Sequence, residues 1–267
     1  MLIVCATDIG NFDDNSTRLR DIISQADVIA AEDTRRALFL LKQLGISPPS
    51  YLLRLDQHKE KIHTKIILDH LEQKRLVVLL SDAGSPCISD PGAYLINACI
   101  EAGFNISPLP GPSAVTSLLS VGGFKQTMFV FAGFFPRQTT AARTCLFHLS
   151  SIDGPIVFFE SPKRLLKTFS LLKNICPEAR CVCAKELSKE FETILYGTVS
   201  AVENDLHNLV IKGEWCFAID LPDLSLKKFE DILPSMIKLG LNNKQILGVS
   251  KLMGFSKSMV YHRLHLS

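Results

Sequence analysis

The sequence predicts an α/β protein built from two α/β domains and a small helical tail, and three observations lead there. In the first half, short apolar runs alternate with helical patterns, the arrangement that builds a parallel sheet with connecting helices. From Met128 onward the texture shifts to aromatic and β-branched runs, which fit a second domain richer in strands. After Leu221-Pro222-Asp223 the chain carries capped helical patterns and a surplus of lysine. The divisions expected are residues 1–120, 121–223 and 224–267, with the glycines of SVGGFKQTM marking the first link.

The elements follow in order. LIVCAT reads as the first strand, and a helix begins near Asn15-Ser16, where a short polar side chain can cap it. VIAAED is the next strand, followed by a helix through LFLLKQL and an amphipathic charged stretch, KEKIHTKIILDHLEQK. LVVLL then reads as a buried strand that delivers the loop SDAGSPCISDPG, two glycines and two prolines in twelve positions. Ligands of parallel sheets bind outside the carboxyl ends of the strands, so this loop stands where a ligand is expected. AYLINACIEAG forms a helix ending at Gly103, and ISPLPGPSA brings a second Pro/Gly loop before another helical pattern.

In the second domain MFVFAGFF, PIVFFES, CVCAKEL and WCFAIDL read as strands, with a helix at RLLKTFSLLKN. The tail has asparagine caps, a break at Gly254 and a new cap at Ser256. That is the outline of a helix-turn-helix, and equally of a plain helical hairpin. Ile246, Val249, Leu252 and Val260 give the tail a packing face.

A chain of 267 residues, 47% hydrophobic, can bury a sizeable core. No charged leader precedes an apolar stretch and no run approaches a membrane span, so a cytoplasmic protein is expected. The eight cysteines include no CxxC pair, which argues against a zinc site or disulfide framework and for small core residues. The net charge of +2 is unevenly spread: from Leu224 onward seven Lys/Arg face two acids, leaving the body mildly acidic. A basic segment on an acidic body fits contact with a polyanion, and a solvated helical face gives the same count.

No G-x-G-x-x-G, P-loop or G-x-S-x-G pattern occurs, which disfavours Rossmann-type cofactor binding and the usual serine hydrolases. His58, His63 and His70 lie on the charged helical stretch and read as a solvated face, with no metal expected. Two charged clusters directly follow apolar strands, AEDTRR at residues 31–36 and AKELSKEFET at residues 184–193. Groups at such positions can face a ligand cleft.

In order along the chain, ATDIGN with STRLRDI, ADVIAAEDTRRA, SDAGSPCISDPG, PLPGPSA, FAGFFPR, FFESPKRL and AKELSKEFETILYGT resemble the blocks of the ribosomal RNA small-subunit methyltransferase I family, within the tetrapyrrole methylase superfamily. The resemblance runs from residue 1 to about 266. It implies a tetrapyrrole-methylase-like fold with S-adenosylmethionine in a cleft between two α/β domains, a homodimer, and methylation of a cytidine ribose 2′-hydroxyl in small-subunit ribosomal RNA.

By that resemblance the cofactor-facing positions are Asp8, Asp82, Ala83, Gly84, Ser85, Pro86, Ile88, Ser113, Ala114, Glu160 and Leu187. Candidates for a general base are Asp33, Glu160, Lys185 and Glu186. Candidates for holding RNA phosphates are Arg35, Arg36, Lys163, Arg164 and Lys189, with Lys244, Lys251 and Lys257 in the tail. The sequence departs from the family at Asp8, where proline is usual; a charge, a free N–H and a looser loop are expected there. Two other readings remain at this point: a methylase of tetrapyrrole precursors on the same fold, and a non-catalytic RNA-associating relative.

Overall fold

The computed structural model describes residues 1–56, 60–125 and 128–265. His58, and Gln126 and Thr127 of the expected link, lie outside the described residues. Two compact units are present. The first comprises Met1–Val121 with Ala184–Thr193, and the second Gly122–Cys183 with Ile194–Ser267.

The first unit is a parallel five-stranded sheet. Its strands are β1 (Leu2–Cys5), β2 (Val28–Ala31), β3 (Tyr51–Arg54), β4 (Val77–Leu80) and β5 (Ile106–Leu109), in the order β3-β2-β4-β1-β5. Side chains alternate across a strand, so Ile3 and Cys5 face one way and Leu2 the other. The first face packs on α1 (Thr17–Ser24) through Leu19 and Ile23 and on α2 (Thr34–Leu44) through Ala37, Leu40 and Leu41. The second packs on α3 (Glu60–Glu72) through Ile67 and Leu71 and on α4 (Ala93–Glu101) through Leu95 and Cys99. Burial on both faces is why β2 and β4 are continuous apolar runs. The edge strand β3 is half exposed and lacks that signal, which is why the sequence does not announce it.

Ser16 caps α1 through its hydroxyl and Gly45 closes α2 in the left-handed conformation. The histidine stretch is not wholly a solvated face. His70 is buried, its Nδ1 2.7 Å from Arg75 Nη1 and its ring 4.5 Å from that of Tyr51. Burial first, then the Arg75 charge, lowers its pKa and favours the neutral imidazole.

The second unit has a mixed sheet of β6 (Val130–Phe134), β7 (Ile156–Glu160), β8 (Arg180–Lys185), β9 (Thr193–Thr198) and β10 (Trp215–Ile219), in the order β6-β7-β10-β8-β9. β6 and β7 run parallel, β7 and β10 antiparallel. Phe135, Phe158, Phe169 and Phe217 form its centre, with ring centroids 5.2–6.0 Å apart. Around them lie α6 (Thr139–Leu149), α7 (Pro162–Ile175) and α8 (Val199–Leu206).

The tail forms α9 (Ser225–Lys238), α10 (Asn243–Leu252) and α11 (Lys257–His265). Asn242 and Gln245 cap α10 reciprocally, and Ser256 accepts the Met259 N–H at the start of α11. The expected packing face divides. Ile246 and Val260 are buried in a core the tail builds itself, with Phe229, Leu233, Met236 and Phe255. Leu252 is 90% exposed and Val249 is exposed as well, because α10 presents only one narrow face to its neighbours. Leu224 enters the main core of the second unit, and Arg143 pairs with Asp231 at 3.0 Å, so α9 is anchored at its first turns.

Candidate cofactor and substrate site

Parallel pairing of β1 with β4 and β5, and of β2 with β4, brings the loops after all four strands to one edge of the first sheet. Asp8, Asp82, Ala83, Gly84, Ser85, Pro86, Ile88, Ser113 and Ala114 lie on the loops after β1, β4 and β5. Leu187, buried, belongs to the segment of residues 184–193 in the same unit.

The β4 loop is held from several sides. Thr7 N–H donates to the Gly84 carbonyl at 2.9 Å, and Gly84 N–H donates to the Asp8 carbonyl at 3.2 Å. Ser81 Oγ also donates to the Gly84 carbonyl, at 2.8 Å. Gly84 has φ +75°, and a Cβ there would make only ordinary contacts, 3.5 Å from Ile9 Cγ2 and 3.7 Å from the Pro112 carbonyl. Glycine is therefore required by the backbone conformation. Cys87 and Ser89 also adopt positive φ. At the far end Glu60 Oε1 accepts the N–H groups of Gly92 (2.9 Å) and Tyr94 (3.0 Å), supplying the cap that α4 lacks from its own N-cap residue.

Carboxylates crowd this edge. Asp33 caps α2 and binds Arg35 through Nε (3.0 Å) and Nη2 (2.5 Å); these bonds hold its carboxyl well below the usual range. A group so strongly held as the anion is a weak base, which weighs against Asp33 in that role. Asp82 Oδ1 accepts the Asp33 N–H at 3.1 Å, and Arg36 lies 3.8 Å from its other oxygen. Burial raises the Asp82 carboxyl, and burial with the Asp82 charge raises Glu32. Asp90 is pushed up to about 7 by burial, then by Glu32 and Asp82. Sequence reasoning reaches Glu32 only as part of the AEDTRR cluster and misses Asp90, which reads as a turn residue; its position four residues after Pro86 in the same loop is the available signal.

The loop between β8 and β9 has positive φ at Glu186 and Ser188. Lys189 Nζ pairs with Glu186 at 3.1 Å, Glu192 accepts the Ser188 N–H at 2.7 Å, and Ser188 Oγ donates to Asp14. A Cβ at Gly10 would fall 2.2 Å from Lys189 Cε, so the lysine stem lies flat on that glycine. Lys189 is thus held within its unit by packing and pairing. Lys185 begins this segment, half-buried at the end of β8.

In the second unit Glu160 ends β7 with only 2% exposure. It accepts from Ser161 N–H (2.6 Å) and Thr168 Oγ1 (2.6 Å) and pairs with Arg164 Nη2 (2.5 Å), which also donates to the Phe135 carbonyl. A carboxylate shut from solvent and engaged by three donors is poorly placed to take a proton from a hydroxyl, which weighs against Glu160 as the base. Arg164 is correspondingly a tie between α7 and β7. Arg35, Arg36 and Lys163 are exposed, as are Lys244, Lys251 and Lys257.

Among the described residues no group of three His, Cys, Asp or Glu is placed to hold a metal, and no helix is long and apolar enough to cross a membrane. Cys181, Cys183 and Cys216 are buried, and burial raises their thiols, as expected of core residues.

Comparison with known proteins places this geometry in a family. The profile of the family described as Tetrapyrrole (Corrin/Porphyrin) Methylases matches residues 1–203. A ribosomal RNA small subunit methyltransferase I of Leptospira biflexa is 35% identical over 232 residues, 86% of this chain and 95% of the relative. The protein of the same name from Mycobacterium tuberculosis is 40% identical over 202 residues, covering 74% and 70%. Among solved structures, a diphthine synthase superposes with TM-score 0.63 at 13% identity, over 83% of this chain and 90% of that one. The uroporphyrin-III-C-methyltransferase of Thermus thermophilus does so with TM-score 0.58 at 15% identity, over 84% and 94%. These two likenesses speak for the fold alone. Profile and relatives together establish that the chain belongs to the tetrapyrrole methylase family and, within it, to the ribosomal RNA small subunit methyltransferases I.

Proposed function

We propose that the chain methylates the ribose 2′-hydroxyl of a cytidine in small-subunit ribosomal RNA, with S-adenosylmethionine as methyl donor. The observation that carries this reading is the 35% identity spread over 95% of a relative bearing that name. The chemistry of the first unit's carboxyl edge supports it. Three carboxyl groups there, Glu32, Asp82 and Asp90, are raised first by burial and then by neighbouring carboxylates, Glu32 by Asp82, Asp82 by Asp33, and Asp90 by Glu32 and Asp82, a crowding of like charge that a cationic ligand relieves. S-adenosylmethionine, when bound, supplies a methyl group made electrophilic by a sulfonium cation.

The residues that would hold it are Asp82, Ala83, Gly84, Ser85, Pro86 and Ile88 of the β4 loop, Ser113 and Ala114 at the start of α5 (Ala114–Gly122), and Leu187. Small side chains at 83–85 leave the peptide groups available for recognition. Orientation of a weak nucleophile carries much of such a transfer. Asp90 is the proton acceptor in this reading, since a carboxyl near pH 7 is both available as the base and strong enough to take a hydroxyl proton. Lys185 and Glu186 remain further candidates. Arg35, Arg36 and Lys163 would hold phosphates from the body, and Lys244, Lys251 and Lys257 from the tail. The reading also includes a homodimer and work in the cytoplasm, where the substrate resides.

The test is transfer of labelled methyl from S-adenosylmethionine to purified small ribosomal subunits, with uroporphyrinogen as the competing acceptor. Label in RNA at a single ribose 2′-oxygen is the expected result. Label only in the tetrapyrrole, or in neither, overturns the proposal; a constant monomer mass in light scattering across micromolar concentrations overturns the homodimer.

A further inference from the structure

The two ends of the loop after β1 are joined by the side chains of Asp8 and Asn15. Each of the four polar atoms of Asp8 has a partner within the first unit. Its N–H donates to Asn15 Oδ1 at 2.9 Å, and its carbonyl accepts the Gly84 N–H at 3.2 Å. Its Oδ1 accepts the Gly10 N–H at 2.9 Å, and its Oδ2 accepts from Asn15 Nδ2 at 2.8 Å. Asn15 Nδ2 donates in addition to the Phe12 carbonyl at 3.0 Å. The free N–H and looser backbone expected from the sequence at Asp8 are thus corrected: the donor is used, and the loop is tied by an amide–carboxylate ring.

That ring connects directly to the β4 loop. Thr7 and Gly84 form an isolated antiparallel bridge, and the carbonyl that receives the Gly84 N–H belongs to Asp8 itself. Both peptide groups that fix Gly84 in its positive-φ conformation are therefore set by the residues on either side of the Thr7–Asp8 bond. An amide has a donor end and an acceptor end and a carboxylate only acceptors, so the ring closes with the Asn15 nitrogen toward the Asp8 carboxylate and its oxygen toward the Asp8 N–H. A carboxylate with both oxygens engaged inside its own loop is a poor direct ligand contact.

We infer that Asp8 and Asn15 are positioning residues: their reciprocal pair sets Gly84 of the β4 loop for cofactor binding, and the Asp8 carboxylate itself does not touch the cofactor. The inference rests on the reading of the β4 loop as an S-adenosylmethionine site.

A charge swap tests it. Asn15→Asp places a second carboxylate where Asp8 needs a donor. Adding Asp8→Asn restores one amide and one carboxylate with their places exchanged; the residue 8 N–H still finds an oxygen at 15, and Gly10 still finds one at 8, while the Phe12 carbonyl loses the side-chain donor in both variants and keeps the residue 15 N–H. By calorimetry Asn15→Asp should weaken S-adenosylmethionine binding about tenfold, the effect of losing one charge-assisted hydrogen bond. The swap should return it to within about threefold of the parent. Amide exchange at Gly84 in the ligand-free protein should speed up in the single variant and slow again in the swap.

Unchanged affinity in Asn15→Asp, or a swap no better than the single variant, overturns the inference, the latter because a carboxylate is then needed at 8 itself. If the parent protein does not bind S-adenosylmethionine at all, the cofactor reading is what fails. Gly84 exchange then decides on the pair alone, and equal rates in parent and Asn15→Asp overturn it.

Discussion

Removing the carboxylate of Glu160 should destabilise the second unit before it affects any chemistry. Glu160→Ala takes away the acceptor of Thr168 Oγ1, of the Ser161 N–H and of Arg164 Nη2, the last at 2.5 Å. Thr168 is 6% exposed and the Arg164 side chain 26%, so neither recovers full hydration. Breaking a buried ion pair from one side costs about 3–5 kcal/mol, and partial exposure of the arginine puts that contribution near the low end, at about 3 kcal/mol. The orphaned threonine hydroxyl adds roughly 1 kcal/mol. About 4 kcal/mol in all is expected, against about 1–2 kcal/mol for Glu160→Gln, which keeps one acceptor and the volume.

The single tryptophan is well placed to report this, because Trp215 on β10 stands opposite Glu160 in the antiparallel register. Urea unfolding followed by its fluorescence should show the midpoint for Glu160→Ala lowered by about 1–2 M, given slopes of about 2–3 kcal/mol per molar for a domain of this size. A Glu160→Ala protein that unfolds within about 0.5 kcal/mol of the parent but has lost S-adenosylmethionine binding would refute the reasoning and return Glu160 to the ligand.

Four other expectations follow from the same geometry. With Asp90 near 7, the group is protonated below that pH, so methyl transfer should rise through about pH 7 and Asp90→Asn should lose that rise; a pH–rate profile of the variant that keeps it removes Asp90 as the base. Because the folded pKa is raised, the contribution of Asp90 to stability is present below its unfolded value and is lost as pH rises through about 7, and Asp90→Asn should remove that decline in urea titrations at successive pH values. Gly84→Val forces a β-branched residue to φ +75°, a strain of roughly 1–3 kcal/mol, so cofactor affinity in calorimetry should largely disappear while far-ultraviolet dichroism is unchanged; retained affinity removes the loop from the site. Reversing the exposed Lys244, Lys251 and Lys257 to Glu should weaken binding to small subunits and flatten its salt dependence by about 0.7–0.9 in log–log slope for each phosphate that is no longer neutralised, while normal binding across a salt titration would make the tail purely structural.

The sequence by itself determined which segments are buried strands, because that information sits in neighbouring residues. Val77-Val78-Leu79-Leu80 is apolar on both faces, and only a strand covered by helices on two sides uses such a run. The loop after it, the caps at Ser16, Asn242 and Ser256, and the break at Gly254 are legible for the same reason: each is a local rule of backbone chemistry. The half-exposed edge strands β3 and β9 alternate too weakly to be seen that way. Tertiary structure alone decided the strand order β3-β2-β4-β1-β5, and with it which loops share an edge. It also decided what each charged residue is for. In the sequence Glu160, Arg164 and Lys189 look like free ionisable groups after strands; in the fold each is committed to partners that residue type cannot name in advance. Asp90 looks like a turn residue and acquires a pKa near 7 because the fold buries it beside Glu32 and Asp82. Periodicity and capping depend on residues a few positions apart, whereas desolvation and charge coupling depend on distance in space.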